Sequence, residues 1–389
     1  MEITAQQREA IESSGKVIVS ASAGSGKTFV MIQKLVCAIE NGVDLDSVLA
    51  VTFTKKAAAQ MKEKLRKAII GAMAEADKDK RLALKIQLSK IPSADISTIH
   101  SFCARLLRTY FYAIGIDGTF DIISSDDALA REYKDRAVSG MFERYYEEDD
   151  ENFKTLLACF RRKRGDNYLK GLILSAYEEL RIYKNYTVLL DGVEDVYTEE
   201  GFDKICERLK KDADEKYRRL ANEVRKFSKE FFHSNPTYTK ILEEMISTLD
   251  RVVGSDIFTP QPAICVTRKP VDKSEYEKAL GEEFKKFKDG INSQYKAIRG
   301  DISDRQTERD RFFKSGITAK AFCAVMKDFD TAYTEIKRDE NKLDYNDLEH
   351  LTLKLLENGE IKREVNSKYA CVFVDEYQDV NPVPEEIIS

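Results

Sequence analysis

The chain has 389 residues, with 63 Lys+Arg against 68 Asp+Glu and a formal net charge of −5. This length provides for two or three domains, 42 % hydrophobic residues exclude wholesale disorder, and 18 glycines with 7 prolines are too few for a collagen-like or loop-dominated chain. There is no apolar run long enough to cross a membrane, Met1 to Thr4 lack the layout of a signal peptide, and seven cysteines scattered singly read as reduced thiols of a cytoplasmic protein.

The first hundred residues alternate helical and strand-like patterns. Thr4 to Ser14 reads as a polar-faced helix and Lys16 to Ser20 as a buried strand. A glycine-rich turn follows, then a helix with apolar positions at Val30, Leu35, Ala38 and Ile39. Val48 to Thr52 is a second strand, Lys55 to Ile70 a helix, Asp95 to Thr98 a third strand, and Ile99 to Tyr112 a further helix. Such alternation predicts an α/β fold, a parallel sheet with helices on both faces. From about Gly115 the period becomes helical throughout. Phe202, Tyr217, Leu220, Val224 and Phe231 mark one long amphipathic helix, and Tyr276, Phe284, Ile291 and Tyr295 another, with Thr259 to Pro262 as a connector. Strand texture returns at Tyr369 to Val374, directly before Asp375 and Glu376. The expected organisation is an α/β domain over 1–114 and 339–389, interrupted by an all-helical insertion over 115–338.

Ala21-Ser22-Ala23-Gly24-Ser25-Gly26-Lys27-Thr28 lies between the predicted strand and helix, the context a phosphate loop needs. Glycines let backbone N–H groups turn inward at a helix N-terminus. Lys27 would then reach the β- and γ-phosphates of ATP, and the Thr28 hydroxyl would bind Mg²⁺. The competing reading is a glycine-rich turn with an incidental Lys-Thr. Asp375 would hold the metal and Glu376 the attacking water, as phosphoryl transfer to water requires. Alone, such an acidic pair after a strand is an ordinary exposed turn.

These motifs resemble, in order and spacing, the N-terminal half of a superfamily 1 DNA helicase of the UvrD/Rep type. Within that group the chain is most similar to the AddA family of ATP-dependent helicase–nucleases, and more distantly to RecB. Ile3 to Ile11 resembles the motif whose glutamine, here Gln7, reads adenine. Ala21 to Thr28 has the family's form of the phosphate loop, alanine first. Ala50 to Ala58 resembles motif Ia, Ile96 to Phe102 the next DNA-side motif, Leu343 to Leu348 the segment returning to the ATPase domain, and Val374 to Asp379 motif II. The wide separation of Lys27 from Asp375 and the stretch Gly115 to Phe120 favour AddA over compact UvrD or Rep proteins. Lys55 stands where many relatives carry Asn, Val380 replaces a usual Thr, and Pro384 a usual Gln.

The resemblance implies a RecA-like P-loop ATPase domain driving 3′–5′ translocation on DNA in double-strand break processing, with an AddB-like partner subunit, no membrane, and work at the nucleoid. Its nucleotide set maps onto Gln7, Ser22, Ala23, Gly24, Ser25, Gly26, Lys27 and Thr28. Its catalytic set maps onto Lys27, Glu376 and Gln378, with Thr28 and Asp375 as metal ligands. The second RecA-like domain and the nuclease are expected to be missing, so the chain should bind ATP·Mg²⁺ and hydrolyse it poorly. The alternatives are a repair helicase without nuclease and a partner-binding module with a vestigial ATPase.

On the DNA side, Thr52, Phe53, Thr54, Lys55 and Lys56 sit at a strand end and helix start, where hydroxyls and ammonium groups meet phosphates and Phe53 can stack on a base. The alternative makes Phe53 core. Thr98, His100 and Ser101 join this track through the resemblance, since a histidine at a helix start is otherwise a local hydrogen bonder. The clusters Arg161 to Arg164 and Lys285, Lys286 and Lys288 read either as grips on a DNA backbone or as solvated helix faces.

Overall fold

The computed structural model describes residues 3–22, 24–124, 127–160, 166–231, 235–268, 274–300 and 302–388, the side chains of 275 and 276 excepted. Ala23, the cluster Arg161 to Arg164 and the side chain of Tyr276 therefore lie outside the described residues. The chain forms two compact units, one of residues 1–149, 166–186 and 326–389, the other of 150–165 and 187–325. Segments 115–149, 166–186 and 326–338, expected from sequence in the helical insertion, thus pack with the α/β unit.

That first unit is built on five strands: β1 Val48–Thr52, β2 Asp95–Thr98, β3 Asp121–Ile123, β4 Lys342–Asp344 and β5 Cys371–Val374. β1 lies between β2 and β5, parallel to both, with Thr52 opposite Thr98 and Val51 opposite Val374. All five β1 residues are buried, as a continuous apolar run demands of a central strand covered on both faces. Val48 and Ala50 pack among Ile32, Leu35, Met61 and Leu65 on one face. Leu49 and Val51 pack among Phe102, Leu107, Leu348 and Val383 on the other. Helices Lys27–Glu40 and Lys55–Glu75 supply the first layer, and Ile99–Thr109 with Tyr345–Leu356 the second.

Two features depart from the sequence expectation. Residues 16–20, predicted as a buried strand, are extended but unpaired, with Val17, Ile18 and Val19 exposed and Ile18 at 80 %. An apolar run permits burial between two layers, but a strand also needs a ladder partner, and among the described residues none pairs with β5 on the edge away from β1. Conversely, β3 and β4 form a parallel pair in a region read as wholly helical. Three residues each is too short for an alternation to stand out, and the ion pair of Lys342 with Asp121 at 2.5 Å helps to hold the register.

The second unit is helical. Helices Glu199–Glu230, Thr237–Val252 and Glu275–Arg299 enclose Tyr217, Leu220, Val224, Tyr238, Met245, Phe284, Ile291 and Tyr295. The predicted stripe holds at Phe202, Tyr217, Leu220 and Val224, whereas Ile205 and Leu209 on the same helix are exposed. Phe202 belongs to a separate small cluster with Cys206 and Ile257. The proline-containing connector is fastened to this core. Gln261 Nε2 donates to the Tyr217 hydroxyl (2.5 Å), and the Tyr295 hydroxyl donates to the Pro262 carbonyl (3.1 Å). Lys285 and Lys286 are exposed on their helix. No described helix is long and apolar enough to cross a membrane.

Candidate nucleotide and nucleic-acid site

The phosphate loop ends on helix Lys27–Glu40, whose N-cap is Gly26 with no side-chain cap bond. The first N–H groups of this helix are therefore directed outward at its positive end, where an anion is favoured. Gly24 and Gly26 have φ of +81° and +88°, the left-handed region in which a side chain costs about 1–2 kcal/mol. Ser25 folds the loop on itself, its N–H (3.3 Å) and Oγ (2.7 Å) both donating to the Ser22 carbonyl.

Gln7 approaches this loop from helix Ala5–Glu12. Its Oε1 accepts from the Thr4 N–H in a capping box, and its Nε2 donates to the Ser25 carbonyl at 3.2 Å. The pairing brings residues 7 and 25 together as the sequence expectation requires.

The acidic motif reaches the loop from the far end of the chain. The Asp375 N–H donates to the Val51 carbonyl (2.9 Å), continuing the ladder one step past β5. Half-burial, and then the neighbouring Glu376 charge, push the Asp375 carboxyl above the usual range. Glu376 has φ of +55°, a conformation costly for a non-glycine residue and found where local geometry is imposed by function. Its Oε2 accepts from Gln378 Nε2 at 2.6 Å and stands 4.0 Å from Lys27 Nζ. Lys27, Glu376 and Gln378 thus converge on one carboxylate oxygen. Thr28 is half-buried in the first turn of the same helix as Lys27.

A hydroxyl and one carboxylate are hard oxygen donors suited to Mg²⁺, which keeps most of its shell for water and phosphate. No group of three or more Asp, Glu, His or Cys able to cage a metal occurs among the described residues. Thr28 and Asp375 therefore fit a metal carried in with a nucleotide rather than one held by protein alone.

The predicted DNA-side residues lie at the carboxyl ends of β1 and β2, the edge at which open α/β sheets bind ligands. Phe53 is 67 % exposed, which removes the core reading. Thr54 caps helix Lys55–Glu75 by accepting from the Ala57 N–H (3.0 Å), and Lys55 and Lys56 project at its start, exposed. Two residues of the track are corrected. Thr52 is buried with its hydroxyl donated to the Thr54 carbonyl, and Thr98 is buried with its hydroxyl paired to the N–H and Oγ of Ser101. These hydroxyls, and that of Ser101, serve the strand–helix turns, because a cap bond uses the group a phosphate would need.

His100 makes contacts that the sequence did not disclose. Its Nε2 lies 2.9 Å from Oε1 of buried Glu349, and its ring stacks on Tyr345 with centroids 4.3 Å apart. Tyr345 and Glu349 are one helical turn apart on Tyr345–Leu356. This i, i+4 spacing was the available signal. The same helix starts on a buried ionic cluster in which Lys337 Nζ meets Asp344 (2.7 Å) and Asp347 (2.5 Å), and Arg181 Nη2 meets Asp347 at 3.0 Å.

Residues 3–389 match the family described as UvrD/REP helicase, N-terminal domain. The AddA subunit of the ATP-dependent helicase/nuclease of Pediococcus pentosaceus is 32 % identical, covering the whole of this chain and 33 % of its own length. Proteins of the same name from Ligilactobacillus salivarius and Enterococcus faecalis are each 29 % identical, over 99 % and 96 % of this chain. The chain spans about a third of the length of the curated relatives it matches (31–33 %).

Proposed function

The chain belongs to the UvrD/REP helicase family, and from that premise we propose that it is the ATP-binding part of an ATP-dependent DNA helicase and translocase of the AddA helicase/nuclease kind. The observation that carries this reading is the convergence of Lys27 and Gln378 on Glu376 beside an uncapped helix N-terminus. In this reading Gln7 selects the base and the loop from Ser22 to Gly26 cradles the phosphates. Lys27 balances charge at the β- and γ-phosphates, and Thr28 and Asp375 hold Mg²⁺. Bound Mg²⁺ supplies charge neutralisation at the phosphoryl oxygens. Glu376 orients the attacking water and accepts its proton, while the Gln378 amide fixes the carboxylate rotamer by its bond to Oε2. Phe53, Thr54, Lys55 and His100 form the single-stranded DNA track, with Phe53 stacking on a base and Lys55 on phosphate.

The finer proposal is 3′–5′ translocation in processing of double-strand breaks, beside an AddB-like partner subunit, in the cytoplasm at the nucleoid. Hydrolysis then requires a second RecA-like domain closing on the nucleotide, so the 389-residue chain binds MgATP and turns it over slowly. The test measures MgATP binding and ATPase, with and without single-stranded DNA, for this chain and for the longer protein. Lys27→Ala should abolish DNA-stimulated ATPase in the longer protein, and Glu376→Gln should lower turnover by about 10²–10³-fold while leaving binding intact. Undiminished turnover in Lys27→Ala, or robust unwinding by the 389 residues alone, overturns the assignment.

A further inference from the structure

Lys34 lies on the phosphate-loop helix about two turns beyond Lys27, too far along it to reach the phosphates. Its ammonium donates to the Ala10 carbonyl (3.0 Å), the Ile11 carbonyl (3.3 Å), the Ser13 carbonyl (2.5 Å) and Ser13 Oγ (2.8 Å). Ser13 Oγ in turn donates to the Ala10 carbonyl at 2.7 Å. These acceptors lie at the C-terminal end of helix Ala5–Glu12, where carbonyls lack intrahelical partners and the helix dipole favours a cation. Lys34 is thus a C-terminal clamp supplied by a neighbouring helix.

The helix it clamps has little else to hold it. Ala5–Glu12 is eight residues long and buries no side chain. Isolated helices of that length do not persist in water, and most helical stability in proteins comes from burying an apolar face. Its fixed points are the capping box at Thr4, the bond from Gln7 to Ser25, and Lys34. Since Lys34 and the phosphate loop flank one helix, the clamp sets where Gln7 stands relative to the loop.

We propose that Lys34 is a positioning residue for adenine recognition, holding Gln7 in place from the opposite end of its helix. The inference rests on the nucleotide-binding reading of this site and on Gln7 reading the base. Without the ammonium the carbonyls turn to water, the helix frays, and Gln7 occupies its position in only a fraction of molecules. Apparent affinity for ATP falls by that fraction, while the phosphate loop, built on residues 22–28, keeps its grip on the phosphates.

Calorimetric titration of the 389-residue chain with MgATP and with Mg²⁺-tripolyphosphate, which has phosphates but no base, tests this. Lys34→Met should weaken MgATP about tenfold (about 1.4 kcal/mol) and leave tripolyphosphate unchanged. Lys34→Arg should restore most of the loss. Lys34→Met combined with Gln7→Ala should bind no more weakly than Gln7→Ala alone, because both act through one contact. Equal loss for both ligands assigns Lys34 to the fold or the loop and overturns the proposal, as does no loss at all. If Gln7→Ala weakens ATP and Lys34→Met does not, only the role of Lys34 falls. If Gln7→Ala leaves ATP binding unchanged, the reading of Gln7 falls and the proposal with it.

Discussion

His100 and Glu349 are joined by a 2.9 Å contact between Nε2 and Oε1, with the carboxylate buried and the imidazole at the rim of the sheet edge. The orientation of a proposed DNA-side histidine is therefore set from the helix that begins at Tyr345. Glu349→Ala should lower affinity for a labelled single-stranded oligonucleotide roughly fivefold, the worth of one such bond (~1 kcal/mol). Glu349→Gln, which keeps an acceptor at the same reach, should bind close to the parent. Fluorescence anisotropy without nucleotide reads this, and equal losses in both variants would refute it.

Phe53 is exposed on the turn after β1. Phe53→Ala should therefore leave the unfolding midpoint in urea unchanged while reducing single-stranded DNA affinity by about 1–3 kcal/mol, the range for one base–aromatic stack. A shifted unfolding midpoint with unaltered DNA binding would return Phe53 to a structural role.

At Gly26 the backbone is at φ +88°, and an added Cβ would lie 3.3 Å from Gln7 Nε2. Gly26→Ala is expected to cost about 1–2 kcal/mol of local strain. The cost should appear as weaker MgATP binding, since strain in the loop and displacement of Gln7 act on the same site. Unaltered nucleotide affinity in this variant would show that the loop binds in another conformation.

Lys337 is buried against Asp344 and Asp347. Lys337→Met leaves two carboxylates with Arg181 alone, a loss of about 3–5 kcal/mol at neutral pH, typical when one partner is removed from a buried pair. The pH dependence has a definite sign. Burial pushes the Asp344 carboxyl up, but Lys337 and Arg181 outweigh this and hold it at about 2. A depressed carboxyl stabilises the fold above its unfolded value, about 3.9, and that contribution is lost as pH falls toward about 2. Asp347, pushed up by its burial and by Asp344, acts in the opposite sense. The stability gap between parent and Lys337→Met should therefore narrow below pH about 4, as followed by urea unfolding at stepped pH. A gap that widens in acid would contradict the assignment.

Much of the α/β unit was legible because its signals are local. Val48–Thr52 and Asp95–Thr98 are strands with the expected bounds, Cys371–Val374 lies within the expected run, and the phosphate-loop helix starts at Lys27. The pairing of Glu376 with Lys27 was readable from residue type and motif order. Other features were hidden because they depend on partners distant in sequence. The 16–20 run carries strand composition, but pairing decides its state. Lys34, Glu349, Arg181 and Lys337 look like ordinary helix charges, which in an acidic and basic mixture read as solvated. Periodicity cannot tell a solvated lysine from one folded onto three carbonyls. Thr52 and Thr98 were assigned to DNA by type, while their burial and cap bonds appear only once the turns are built.

The ladder between β1 and β5 has a mechanical consequence. Asp375 is bonded to Val51, and one residue after Val51 comes Thr52, with Phe53 next. Parallel strands do not creep past one another in small steps, since a one-residue slip would turn every side chain to the wrong face. β1 therefore acts as a stiff spar, so that a displacement imposed on Asp375 is delivered to Phe53 as translation rather than dissipated in the sheet.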